Sequence, residues 1–101
     1  MGSLLDKWFR RERVPVKLYS RPACPLCELM KDEIARARPA VAYELVEVNI
    51  DSDPVLVERF GRSIPVLEIA GRIAFKTRLT AADFERKLER IATAPRGEER
   101  G

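Results

Sequence analysis

Histidine is absent from this 101-residue chain. That removes the commonest general base, the commonest nitrogen ligand for zinc, and every nucleophile activated by an imidazole. Any chemistry must come from cysteine, carboxylates, arginine, lysine, tyrosine or the backbone. Cysteine itself occurs only twice. Aromatic residues make up 7% of the chain, so its core is expected to be mostly aliphatic. No apolar run approaches the roughly 20 residues that span a bilayer. Met1 to Arg13 lacks the apolar centre of a secretory signal. Gly2 is followed by Ser3, Leu4, Leu5 and Asp6, without the Ser or Thr of a myristoylation signal. A soluble, cytoplasmic protein is expected. A one-sided charge is missing too: nineteen Lys plus Arg stand against sixteen Asp plus Glu. The one basic cluster, Arg10, Arg11 and Arg13, contains Glu12, and no aromatic-studded basic stripe exists. Nucleic acid is not expected as a partner.

What is present suffices for one small domain. Hydrophobic residues reach 46%, enough for a single core, although a chain of this size buries only about two-thirds of its unfolded surface. Three regions are expected: an amphipathic arm over residues 1–13, a domain over 14–94, and a polar tail over 95–101. In the arm, Leu4, Leu5, Trp8 and Phe9 recur at helical spacing between charged residues. Such a segment packs on its own domain, docks a partner, or lies on a membrane surface.

Within the domain, Val16 to Ser20 reads as a strand and Cys24 to Ala37 as a helix with Cys27, Met30 and Ile34 on one stripe. Pro39 stops that helix. Tyr43 to Ile50 reads as a second strand whose apolar phase slips at Leu45 and Val46, which predicts partial burial of both faces. Asp53-Pro54 caps and opens a short helix ended by Gly61. Pro65–Ile69 and Arg72–Lys76 form a hairpin about Ala70-Gly71. Thr80 caps a last helix, with Asp83 in its first turn and Phe84, Leu88 and Ile91 on its core stripe. The order of elements predicts an α/β domain with one small mixed sheet.

Both cysteines lie in one motif, Cys24-Pro25-Leu26-Cys27, directly after the first strand and opening the first helix. A thiolate is the nucleophile of disulfide exchange, and an ordinary thiol is mostly protonated at neutral pH. At a helix N-terminus, unpaired N–H groups and the positive end of the dipole favour the anion. Cys24 is placed at the N-cap. Pro25 fits the first helical position, which needs no donor. Arg21, three residues upstream, adds a positive charge. Cys27, one turn on, faces the core and is the less exposed thiol. That asymmetry suits attack by Cys24 and resolution by Cys27. The same motif also serves as half a zinc site or as two buried structural cysteines. Zinc asks for four ligands, and with no further cysteine and no histidine a complete site needs a second chain or carboxylates. No metal is assigned. In Ser63-Ile64-Pro65-Val66, a proline opens a strand, and sequence alone favours its trans form.

The run from Tyr19 through Cys27, with Ser63-Ile64-Pro65-Val66 and Asn49-Ile50-Asp51-Ser52-Asp53-Pro54 downstream, resembles the glutaredoxin branch of the thioredoxin-like superfamily. The resemblance covers roughly residues 15–92. It implies a thioredoxin-like fold: a four-stranded mixed sheet in the order 2-1-3-4 flanked by three helices, preceded here by the amphipathic segment. It implies a cis Ile64-Pro65 bond beside the cysteines, with the Ile64 backbone N–H and C=O offered to a bound thiol peptide. Cys24 inherits the role of nucleophile and Cys27 that of resolving thiol. Arg21 stands where glutaredoxins carry a basic residue near the thiolate and the glutathione carboxylate. Two departures stand out. Leu26 replaces the usual aromatic between the cysteines, and Lys76-Thr77-Arg78-Leu79-Thr80 replaces the Gly-Gly-x-Asp stretch that holds glutathione, leaving Thr80 at a helix start to meet a carboxylate. Pro25 and Leu26 complete the expected substrate surface. The expected activity is thiol–disulfide exchange by a monomer, on protein or glutathione disulfides. No cofactor is bound in that reading, and glutathione serves as reductant or co-substrate. The alternative is a non-catalytic module of the same fold, or a dimer holding zinc or an iron–sulfur cluster.

Overall fold

A computed structural model describes residues 13–93. The expected amphipathic arm, apart from Arg13, and the expected tail lie outside the described residues. The chain runs β1 (Val14–Ser20), α1 (Pro25–Arg36), β2 (Tyr43–Asn49), a 3-10 turn (Ile50–Ser52), α2 (Pro54–Phe60), β3 (Val66–Ile69), β4 (Arg72–Lys76) and α3 (Ala81–Thr93). The four strands form one sheet in the order β2-β1-β3-β4. β1 is parallel to β2 and antiparallel to β3, and β3 is antiparallel to β4. This is the mixed sheet, strand order and set of three helices that the resemblance implies.

β1 begins two residues earlier than its apolar alternation suggested, because Pro15 is admitted at the last rung. Its carbonyl accepts the Ala70 N–H at 2.8 Å. Its donorless nitrogen therefore faces the side where β3 has already ended, and one missing bond there costs the ladder little. Val14, Val16 and Leu18 then face one side of the sheet. There they join Met30 and Ile34 of α1, Leu67 and Ile69 of β3, and Phe84 and Leu88 of α3 in the larger core. The other side carries a smaller cluster of Tyr19, Ile50, Phe60 and Val66 beneath α2. Among the described residues the sheet thus has a helix pair on one face and a single short helix on the other.

The helices start where their caps predict. Asp53 accepts the Val55 N–H at 2.9 Å with Pro54 at the first helical position. Thr80 Oγ1 accepts the Asp83 N–H at 3.1 Å to open α3. α1 ends at Arg36, ahead of Pro39, with Ala37 already extended.

One expectation needs correction. Ile50 does not end β2; it leaves the strand and sits fully buried in the 3-10 turn. Both faces of β2 are partly buried as expected, but only towards the ends of the strand. Tyr43 and Val48 pack against opposite cores, but between them Leu45 and Val46 are 38% and 49% exposed. The cause is topological: among the described residues β2 is an edge strand with β1 as its single neighbour.

Candidate active site

The parallel and antiparallel pairings gather the sequence-identified residues at one end of the sheet. β1 delivers the chain to Ser20, and Tyr19 pairs with Val66, the first residue of β3. Residues just beyond β1 and just before β3 are therefore neighbours. The first group is Arg21 to Cys27; the second is Ile64 and Pro65. The Ile64-Pro65 peptide is cis, as the resemblance implied and against the sequence default, and Pro65 is buried.

Between β1 and α1, Ala23 takes a positive φ of 59°. Left-handed backbone of this kind at a residue other than glycine is uncommon, and here it falls immediately before the N-cap. Cys24 sits at that cap. Its Sγ accepts the Cys27 N–H at 3.2 Å, and its carbonyl accepts the Glu28 N–H at 3.1 Å. The two cysteines are joined as a disulfide with their Cα atoms 5.2 Å apart. Their exposures differ as expected: Cys24 is partly accessible, whereas Cys27 is 1% exposed. The Cys24 sulfur lies in the mouth of the helix, where the Cys27 backbone N–H points at it and the dipole favours negative charge.

The residues assigned to substrate fall into two sets. Pro25 and Leu26 are exposed beside Cys24, Leu26 by 38%, and Leu29 one turn later is 59% exposed. They form an apolar ledge next to the accessible sulfur. The others have partners inside the protein. Arg21 bonds one oxygen of Asp51 through both Nε (3.1 Å) and Nη2 (2.7 Å). That hydrogen bond holds the guanidinium above its ordinary pKa. The Ile64 N–H donates to the Phe60 carbonyl at 3.1 Å, so of the two Ile64 groups implied for a bound peptide, the N–H is already engaged. Thr80 uses its hydroxyl to cap α3, and the neighbouring Ala81 N–H is taken by Glu33 Oε1 at 2.8 Å. The helix end expected to meet a substrate carboxylate thus already holds one from α1.

The missing Gly-Gly has a structural counterpart. Thr77 adopts a φ of 73°, and the Arg78 N–H closes back on the Lys76 carbonyl at 2.7 Å. This is a γ-turn of the rare, strained hand. Thr77 also donates its N–H to the Pro65 carbonyl at 2.7 Å, so the turn lies against the cis proline.

Sequence reasoning missed Glu47. It accepts from the Ser20 hydroxyl at 2.8 Å and lies 3.2 Å from Lys31 Nζ. The Ser20 hydrogen bond is the main cause that holds its carboxyl below the ordinary range, with Lys31 adding to it against the opposing effect of burial. Only the register of β2 along β1, which pairs Glu47 with Leu18, brings that side chain under α1. No local pattern announces it. Among the described residues, no group of three or more acidic or cysteine side chains is placed to hold a metal ion. No helix among them is long and apolar enough to cross a membrane.

Comparison with known proteins agrees with this fold. The model of a family described as glutaredoxin-like domain (DUF836) matches residues 15–89. A structural-genomics target protein from X. campestris is 32% identical over 79% of this chain and 99% of its own, with a TM-score of 0.64. More distant likenesses show the fold alone. Oxidised mitochondrial thioredoxin 3 from Saccharomyces cerevisiae is 10% identical with a TM-score of 0.56, over 87% of this chain and 88% of its own. The first thioredoxin domain of mouse protein disulfide-isomerase A4 is 16% identical with a TM-score of 0.57, over 92% and 76%. No curated protein matches the chain.

Proposed function

The chain belongs to the glutaredoxin-like domain family, and on that footing we propose that it is a thiol–disulfide oxidoreductase cycling between the Cys24/Cys27 dithiol and disulfide. The thioredoxin-like fold with its close cysteine pair supports a redox role. The observation that carries the finer reading is the asymmetry of the pair: an accessible sulfur at a helix cap beside a sulfur that is 1% exposed.

In the reductive direction, the Cys24 thiolate attacks one sulfur of a substrate disulfide. The Cys24–substrate bond forms, the substrate disulfide breaks, and the departing sulfur takes a proton. Cys27 then loses its proton and attacks Cys24 Sγ. The second substrate sulfur leaves as a thiol, and the protein holds the disulfide described above. Two glutathione molecules restore the dithiol, giving one molecule of oxidised glutathione. A protein disulfide is favoured as substrate over a dedicated glutathione site, because the Pro25, Leu26 and Leu29 ledge is apolar while Arg21 and the start of α3 are already bonded within the chain.

The test is a redox titration of the purified chain in graded reduced and oxidised glutathione, quenched by alkylation and weighed intact, with metal analysis of the starting material. A clean transition between unalkylated and doubly alkylated protein supports the dithiol couple. Thiols that stay reduced throughout, or that are held by metal, reject it and favour the binding-module alternative.

A further inference from the structure

Beside the helix that carries the cysteines lies a shallow depression of about 310 Å³, whose walls include Arg21, Pro22, Glu28, Lys31 and Glu47. Arg21 and Pro22 lead into Cys24. Glu28 follows Cys27 directly, and Lys31 comes one helical turn after it. The charges here are opposed and shared. Lys31 Nζ lies 3.0 Å from Glu28 Oε2 and 3.2 Å from Glu47 Oε2. Glu47, from the neighbouring strand, also accepts the buried Ser20 hydroxyl at 2.8 Å. The remaining cation of the depression, Arg21, is matched by Asp51 at 2.7 Å. Lys31 is held above its ordinary pKa by Glu28 first and Glu47 second, and Glu47 below its own by Ser20 first. Both are ionised at neutral pH. Lys31 follows Cys24 by seven residues, about 10 Å along the helix at 1.5 Å per residue, which is about one Debye length at 0.1 M salt, and Glu47 is held against Lys31.

We propose that Glu47 and Lys31 are a tuning pair that sets the reduction potential of the Cys24/Cys27 couple by acting as opposed charges beside its helix. The proposal rests on the oxidoreductase reading. Neither residue touches the reacting sulfurs; both act on the Cys24 thiolate through the field. A thiolate exists only in the reduced form, so whatever stabilises it favours reduction. Glu47 disfavours the thiolate, and Lys31 offsets that effect.

The experiment compares the full chain with Glu47→Gln, Lys31→Gln and the double variant. The readouts are the equilibrium constant against glutathione, and the apparent pKa of Cys24 from thiolate absorbance after reduction by a phosphine. Glu47→Gln is expected to shift the equilibrium about threefold toward the dithiol, which is about 14 mV at 29.6 mV per tenfold, and to lower the Cys24 pKa. Lys31→Gln is expected to shift both by a similar amount in the opposite direction. The double variant returns near the parent, and all shifts shrink in high salt.

A merely structural role predicts something else. Both single variants cut the same contact between α1 and β2, so a loosened helix moves both readouts in the same direction. Shifts of one sign, or no shift in either variant, overturn the proposal. Failure of the parent chain to exchange with glutathione overturns the oxidoreductase reading. The Cys24 pKa in the phosphine-reduced variants then still decides whether the pair acts on the thiol.

Discussion

Glu33 in α1 accepts the backbone N–H of Ala81, the first residue of α3, at 2.8 Å. Its other oxygen takes Arg36 at 2.6 Å. A carboxylate from one helix thus occupies the positive end of the next, which ties the two helices that cover the larger core. The Ala81 N–H is the main cause that holds the Glu33 carboxyl below its ordinary value of 4.5, with Arg36 second. A carboxyl whose folded pKa is depressed contributes stability above its unfolded pKa and loses it as pH falls through the folded value. The parent should therefore exceed Glu33→Gln in stability at pH 7, and the difference should close as pH drops below about 4.5. Urea midpoints at pH 7 and pH 3 check this. A gap of equal size at both pH values rejects the charge argument.

Two glycines are required for different reasons. Gly61 closes α2 with ordinary right-handed backbone, but an added Cβ would meet the Val57 carbonyl oxygen at 2.5 Å. Gly71 has open space around it and a φ of 83°, beside Ala70 at 52°, as a type I′ hairpin turn demands. Gly61→Ala should cost about 1–3 kcal/mol by forcing backbone apart. Gly71→Asn should cost only a few tenths, on the order of 0.5 kcal/mol, because asparagine tolerates the left-handed region. Denaturant midpoints at constant m-value decide the order, and equal losses would show that the contact at Gly61 relaxes freely.

Thr77 gives a stabilising prediction. A β-branched residue at a φ of 73° carries strain on the order of 1–3 kcal/mol. Glycine adopts that backbone freely but adds roughly 0.5–1 kcal/mol of unfolded-state entropy. Strain outweighs entropy, so Thr77→Gly should raise stability by about 1 kcal/mol, or a Tm increase of several degrees in a domain of this size. A lower Tm would mean that the Thr77 side chain contributes more than its backbone costs.

The residues that were legible in sequence are those whose signals are local. Cys24 and Pro25 announce a helix start by residue type, as do Asp53 and Pro54, and Thr80 with Asp83. Cys27, Met30 and Ile34 announce a buried face by spacing, and all three are buried. The resemblance supplied what local signals could not, namely the strand order and the cis proline. What stayed hidden depends on pairs distant in the chain. Glu47 reads as an ordinary solvent-facing strand position until its alignment with β1 sets it against Ser20 and Lys31. Asp51 and Glu33 read as surface charges until Arg21 and Ala81 are brought to them. The exposure of Leu45 and Val46 follows from the edge position of β2, which strand composition does not encode.

The decisive variants are at the cysteines, because the proposed roles are unequal. If Cys24 is the nucleophile, Cys24→Ser removes the accessible thiol of the pair and should abolish exchange, since Cys27 is 1% exposed. If Cys27 resolves, Cys27→Ser leaves attack intact and removes the escape, so a mixed disulfide with the substrate should accumulate on Cys24. Intact mass spectrometry after incubation with oxidised glutathione reads both: no adduct on Cys24→Ser, and one glutathione on Cys27→Ser. The partly accessible Cys24 should be alkylated well ahead of Cys27 in the reduced parent. Turnover that survives Cys24→Ser would transfer the nucleophile to Cys27 and contradict the burial. A Cys27→Ser variant that cycles at the parent rate without an adduct would show that an external thiol completes the reaction, a monothiol mechanism in which the second cysteine is dispensable.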